Sequence, residues 1–308
     1  MKVFSSIEAC QNIQNPVLTL GMYDGVHKGH QKIIQQLNTI AKEVNGESVL
    51  MSFDPHPRLV LQPDFDLELI STLSEKKEIL AQNDLHNFVI QSFTREFSQV
   101  SARDFVVDYL IGKINVHTLV IGYDHHFGKN REGNFEQLTE LSKEYGFNVV
   151  RINEICEGET PISSTKIRKA LKTGDIEYAN NALGYNFTLT GEVIHGDKLG
   201  RTLGFPTANL KLPAYKLVPK TGVYVVHVQI EGKLHLGLLS IGYRETVTDN
   251  SELRVEVNIL DFEGDLYGKI LSVEIMGFIR NEKKFNSLEE LTEAMNHDKE
   301  YAINNFSV

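Results

Sequence analysis

Cysteine is scarce. The 308 residues carry only two, Cys10 and Cys156, at a spacing that matches neither a metal site nor a redox pair. A reducing cytoplasm is the expected home for such a chain. Membrane signals are also missing. No apolar run approaches the ~20 residues that a span requires. Lys2 is followed by Glu8, Gln11 and Asn12 instead of the apolar core of a leader. Positive charge is short as well: 31 Lys and Arg against 41 Asp and Glu leave a formal net charge of −10. That argues against nonspecific nucleic-acid binding, which relies on a basic field. Polyphosphate ligands would then depend on local Lys and Arg, helix ends and Mg²⁺. Internal repeats and low-complexity tracts are absent from the sequence.

What remains is ordinary globular composition, 41% hydrophobic and 23% charged, in a length that suits two domains. The two halves have different rhythms. Up to about residue 155, Val17–Leu20, Val49–Phe53, Phe88–Gln91, Thr118–Ile121 and Val149–Ile152 read as strands. Helices lie between them, such as Phe105–Leu110, opened by Ser101 with Asp104 three residues on. Alternation of this kind predicts a parallel sheet covered on both faces. From Phe187 onward, Phe187–His195, Thr207–Leu212, Val223–Ile230, Leu234–Ile241, Arg254–Leu260 and Ile270–Met276 read as strands separated by turns. They predict a small antiparallel barrel. Ser287 with Glu290 caps a final helix reaching roughly Asn305. The boundary falls near Gly184, giving domains 1–184 and 185–308.

Gly21-Met22-Tyr23-Asp24-Gly25-Val26-His27-Lys28-Gly29-His30 lies where the first strand gives way to an amphipathic helix. The three glycines allow tight turns and close approach of a ligand. His27 and His30, three apart on a helix, face the same way. The helix end supplies N–H groups and a positive dipole that suit phosphate. Taken alone, such a histidine pair is also compatible with an ordinary surface or core role. As a zinc site it supplies only two ligands. Further along come Phe53-Asp54-Pro55-His56-Pro57-Arg58, the loop from Gly122 through Asp124, His125, Phe127 and Gly128 to Gly133, and Ile162-Ser163-Ser164-Thr165-Lys166-Ile167-Arg168. The Gly122 loop is not a P-loop, since five residues separate its glycines and Asn130 stands in place of Ser or Thr.

These motifs, in this order, resemble the prokaryotic bifunctional riboflavin kinase/FAD synthetase family. Its Gly-x-Phe-Asp-Gly-x-His-x-Gly-His signature appears with Tyr23 in the Phe position. The resemblance implies an α/β, Rossmann-like nucleotidyltransferase domain that transfers adenylyl from ATP to FMN. It makes Gly21, Tyr23, Asp24, Gly25, Gly29, Ser163, Ser164 and Thr165 nucleotide-binding. His27, His30 and Arg168 would be catalytic. Asp54, Pro55, His56, Pro57, Asp124, His125 and Phe127 would hold the flavin. His125 departs from the aromatic that the family often has.

In the second half, Gly200-Arg201-Thr202-Leu203-Gly204-Phe205-Pro206-Thr207-Ala208-Asn209 enters a strand. Thr207 and Asn209, two apart, share a sheet face. A hydroxyl and an amide oxygen beside a glycine-rich loop suit Mg²⁺ and phosphates. An exposed polar edge fits the spacing equally well, and Glu256 alternates as a solvent-facing residue would. The segment is similar to the riboflavin kinase signature. By that resemblance Glu256 is the general base toward the riboflavin 5′-hydroxyl, and Thr207 and Asn209 hold Mg²⁺ and ATP. Gly200, Arg201, Gly204, Phe205 and Pro206 would bind nucleotide, and Tyr243 and Arg244 flavin. The stretch Ser240-Ile241-Gly242-Tyr243-Arg244-Glu245-Thr246 departs from the family's Asn-Ile-Gly followed by Pro-Thr-Phe.

The implied protein is a cytoplasmic enzyme making FMN from riboflavin and FAD from FMN, using ATP and Mg²⁺. Its partners are small molecules, not nucleic acid or membrane, and its oligomeric state stays open. Two other readings compete. One is a nucleotidyltransferase acting on another phosphorylated alcohol, which the kinase-like second half opposes. The other is a binding regulator without turnover, which the intact motifs oppose.

Overall fold

An apolar run with no exposed side marks a strand covered on both faces, and all four residues of Val17–Leu20 are buried. The computed structural model describes residues 1–122, 126–152, 156–157, 160–196, 200, 204–244 and 252–306, except for the side chains at 131, 156, 157, 160, 161 and 244. Two compact units result, Met1–Glu68 with Leu73–Ser163, and Leu69–Thr72 with Ser164–Val308.

The first unit is built on a six-stranded parallel sheet. Its strands are β1 (Lys2–Phe4), β2 (Val17–Leu20), β3 (Ser48–Asp54), β4 (Asn87–Ser92), β5 (Thr118–Gly122) and β6 (Asn148–Ile152). Their order is β1-β4-β3-β2-β5-β6. The five sequence-predicted strands are all present. Edge strand β1 is an addition, since three residues are too few to show a period and it forms by pairing with β4. Alternation sorts the side chains. Leu18, Leu20, Val49 and Met51 join one core, while Val17 and Leu50 join the other. Helices α1 (Lys28–Glu43), α2 (Pro57–Leu61), α3 (Leu73–Ala81), α4 (Ala102–Asp104) and α5 (Phe135–Tyr145) connect the strands.

Ser101 caps α4, accepting from the Asp104 N–H at 3.1 Å. The expected helix over Phe105–Leu110 is instead a π-helix, Phe105–Ile111. Its wider turn carries Phe105, Val106 and Leu110 inward together. Cys10 is buried and free, and burial raises its thiol pKa to about 11. Strand order reverses between β2 and β5, so the loops after these two strands flank the switch point where ligands bind in such sheets. A short hairpin, β7 (Cys156–Glu157) with β8 (Thr160–Pro161), completes the unit.

The second unit opens with α6 (Ser164–Thr173) and α7 (Ile176–Leu183). Its barrel strands are β9 (Thr188–Ile194), β10 (Thr207–Lys211), β11 (Gly222–Ile230), β12 (Lys233–Arg244), β13 (Glu252–Ile259) and β14 (Ile270–Arg280). They close in the order β10-β13-β12-β11-β14-β9, every pair antiparallel. Helix α8 (Leu288–Phe306) buries Ala302 against Val225 and Leu238. The Glu290 N–H donates to the Ser287 hydroxyl at 3.2 Å, the expected cap. Arg280 on β14 binds the buried Asp298 carboxylate of α8 through Nε at 3.0 Å and Nη2 at 2.8 Å. The segment Leu69–Thr72 joins this unit: the Leu217 N–H donates to the Leu69 carbonyl at 2.8 Å, and the buried Lys216 ammonium to Ile70 O at 2.8 Å.

Candidate active sites

In the first unit the chain leaves β2 through a turn that ordinary residues avoid. Tyr23 (φ 47°), Gly25 (φ 78°) and Val26 (φ 35°) all occupy the left-handed region. Glycine tolerates it, but a β-branched valine there is strained and persists only where its surroundings over-determine it. The surroundings do so. The Tyr23 hydroxyl pairs with Thr19 Oγ1 at 2.8 Å, and the Gln31 side chain donates to Val26 O at 2.9 Å. Ser52 Oγ and the Lys76 ammonium both donate to Met22 O, at 3.3 and 2.6 Å.

His27 is the N-cap of α1, its Nδ1 accepting from the His30 N–H at 3.4 Å. With Nδ1 an acceptor, the neutral ring carries its proton on Nε2. The two imidazoles stack with centroids 3.7 Å apart and planes 17° apart, and Tyr23 lies 4.7 Å from His30. Sequence spacing thus brings the two histidines together as expected. Burial, then the neighbouring His27 and Lys76, holds the His30 imidazole well below the usual histidine range. Asp24 is buried beside them.

A cavity of about 500 Å³ opens against this turn. Gly21 and Met22 form one wall, and Phe53, His56, Pro57 and Arg58, where β3 ends, form another. Phe93, Phe97, Phe105 and Phe127 complete it. Their rings meet mostly edge to face: Phe93 and Phe97 at 5.8 Å and 68°, Phe97 and Phe105 at 6.0 Å and 89°. An apolar slot walled by aromatics with few polar groups suits a flat heteroaromatic ligand. His56 also caps α2, accepting from the Arg58 N–H at 3.1 Å. Asp54 and Pro55 are exposed where β3 ends. Asp124 and His125 lie outside the described residues.

Phe53 and Arg58 line the cavity as the ends of the segment singled out from the sequence, whereas sequence reading missed Phe93, Phe97 and Phe105 as lining residues, and Lys76 as part of the turn. Phe93 and Phe97 follow β4 directly, so position at a strand's carboxyl end was the available signal. Lys76 gave none. Ser164, Thr165 and Arg168 open α6, which belongs to the second unit. Ser163 ends the first unit.

In the second unit, register assembles the site. Thr207 pairs with Asn258, and Asn209 with Glu256, across β10 and β13. Paired residues point to the same side of a sheet, so these four side chains share one face. Thr207 donates its hydroxyl proton to Glu256 Oε2 at 3.1 Å. Arg254 Nη1 stands 3.8 Å from Glu256 Oε1. Asn258 donates to Pro206 O at 2.7 Å, and its buried Oδ1 has no partner among the described residues. Gly196 leaves room for Asn209, since a Cβ there would fall 2.2 Å from Nδ2. The Phe205 N–H donates to Gly200 O at 2.8 Å, and Gly204 turns with φ 81°.

Among the described residues no group of three His, Cys, Asp or Glu could hold a metal. The oxygens of Thr207 and Asn209 instead fit a Mg²⁺ that keeps most of its ligands from phosphates and water. Arg254 and Asn258 were not singled out from the sequence; both follow from register with Glu256. Tyr243 is exposed on β12, and Arg244 ends that strand. Arg201, Glu245 and Thr246 lie outside the described residues.

Comparison with known proteins gives two family models. One described as FAD synthetase matches residues 10–166, and one described as riboflavin kinase matches residues 183–306. A bifunctional riboflavin kinase/FMN adenylyltransferase of Listeria monocytogenes is 39% identical over 289 residues, covering 93% of this chain and 91% of that protein. Its counterpart in Escherichia coli K12 is 38% identical over 284 residues, covering 92% and 90%. A crystal structure described as a macrolide-efflux protein from Streptococcus pneumoniae has a TM-score of 0.88 at 31% identity and covers 99% of both chains. Among the described residues of the present chain, no helix is long and apolar enough to cross a membrane.

Proposed function

Because the chain belongs to the bifunctional riboflavin kinase/FMN adenylyltransferase family, we propose that its two sites divide FAD synthesis between residues 1–184 and 185–308. The protein phosphorylates riboflavin with ATP, giving FMN and ADP. It then adenylylates FMN with a second ATP, giving FAD and pyrophosphate.

In the barrel, Glu256 takes the proton of the riboflavin 5′-hydroxyl as that oxygen bonds to the γ-phosphorus and ADP leaves. The carboxylate is already aimed, held by Thr207 and flanked by Arg254. Thr207 and Asn209 would hold Mg²⁺, which when bound neutralises charge on the phosphates. In the parallel-sheet unit no enzyme nucleophile is needed. An FMN phosphate oxygen bonds to the α-phosphorus of ATP, and the bond to pyrophosphate breaks. His27 and His30 donate N–H hydrogen bonds to the phosphate oxygens as their charge rises, beside the positive N-terminal end of α1. The aromatic cavity receives the isoalloxazine ring of FMN, with Phe127 and His56 among its walls. A cytoplasmic location fits small soluble substrates.

One observation carries this reading: Thr207 on β10 touches Glu256 on β13, while His27, the cap of α1, stacks on His30 in that helix's first turn in the other unit. The test is a chromatographic time course of the purified protein with riboflavin, ATP and Mg²⁺. FMN should rise first and FAD follow. Absence of FMN would overturn the barrel assignment. FMN accumulating without FAD would overturn the assignment of the first unit.

A further inference from the structure

Lys76 is the one buried lysine of the first unit's described residues that the proposed chemistry leaves unused. It sits on α3, is 6% exposed, and directs its ammonium at Met22 O, 2.6 Å away. Burying an ammonium is unfavourable unless it is paired. Burial does lower its pKa, but the Asp24 and Asp54 carboxylates act in the opposite direction and favour the charged form. Ser52 on β3 donates to the same carbonyl at 3.3 Å. That carbonyl is the last anchor before the left-handed residues Tyr23, Gly25 and Val26. The charge also reaches His30, which faces His27 from its own helix cap, the Tyr23 ring from the turn and Lys76 from α3.

We propose that Lys76 is a positioning residue for adenylyl transfer: its buried ammonium clamps the Met22 carbonyl and so fixes the turn that presents His27 and His30 to the triphosphate. Two consequences follow from the geometry. Without the clamp, the strained turn relaxes and the imidazoles lose their alignment. With it, a cation adds to burial and His27 in keeping the His30 ring a neutral hydrogen-bond donor, and the field at the site favours phosphate. The inference rests on the assignment of adenylyl transfer to the His27–His30 site.

The test compares full-length Lys76→Met, Lys76→Arg and His30→Ala in both half-reactions, with histidine ring NMR across pH. Lys76→Met should lower FMN adenylylation by about 10²-fold in kcat, as displacement of an aligned group does. The FMN KM and riboflavin phosphorylation should stay unchanged. The His30 resonance, identified by its loss in His30→Ala, should titrate higher once the cation is gone. Lys76→Arg keeps a donor and a charge and should restore most of the rate. An unmoved His30 titration, wild-type adenylylation in Lys76→Met, or a loss that Lys76→Arg does not recover would each overturn the proposal. Undiminished adenylylation in His30→Ala would instead refute the site assignment. Loss in His30→Ala with Lys76→Met intact would remove Lys76 alone.

Discussion

The two proposed sites put polar groups beside ATP by opposite means. Every residue of β2 is buried and only apolar Leu20 reaches the cavity, so that strand has no polar face to offer a ligand. Its polar groups must come from the turn beyond Leu20, where Tyr23, Gly25 and Val26 take left-handed backbone and a buried lysine holds the carbonyl before them. In the barrel the ladder itself does the placing. Alternation sets Thr207 and Asn209 on one face, and pairing brings Glu256 and Asn258 opposite them. The first site is therefore sensitive to backbone and buried charge, the second to individual side chains.

The largest effect tests whether the sites are separate. His30→Ala should lower FMN adenylylation by roughly 10²–10³-fold, the usual cost of one donor aimed at developing charge. Riboflavin phosphorylation should be unchanged. Glu256→Gln should do the reverse, lowering phosphorylation by about 10²–10⁴-fold as loss of a general base does. Steady-state rates of each half-reaction check both variants. Loss of both activities in either variant, with folding intact by circular dichroism, would dissolve the contrast.

A smaller effect sharpens it. Gly25→Ala adds only a methyl group, but at φ 78° that methyl strains the turn by about 1–2 kcal/mol. Adenylylation should fall and the melting temperature drop slightly, with phosphorylation untouched. An adenylylation rate equal to wild type would mean that the turn's conformation is not what aims the histidines.

The same contrast explains how much could be read from sequence. Strands β2 to β6 announce themselves as short apolar runs, and β9 to β14 as alternating runs between turns. The histidine pair is legible because three residues bring side chains together on a helix. Lys76 is not, because Ser74-Glu75-Lys76-Lys77-Glu78 reads as a solvated helix face and only tertiary packing buries it. The phenylalanine walls come from four separate chain segments, and no local period connects them. Glu256 is a third case. Its alternation alone says solvent, and only its pairing with Asn209 makes it part of a site.

Acid is the mildest probe of the difference. His30 resists protonation in the folded state because burial, His27 and Lys76 all oppose its charge. An unfolded histidine titrates near 6.5, so below that pH the unfolded chain binds a proton that the native site refuses. Stability is nearly unaffected by this group well above pH 6.5 and falls as pH drops through it. At pH 6 the loss is at most about 0.8 kcal/mol from a single histidine of ordinary unfolded pKa. Thermal denaturation of wild type and His30→Gln between pH 5 and 8 measures it, both ends being about a unit and a half from that pKa. The wild-type curve should bend downward below pH 6.5 and the variant's curve should bend less. Identical curves would mean that His30 takes up its proton in the folded state as readily as in water, and that burial, His27 and Lys76 together do not hold it neutral.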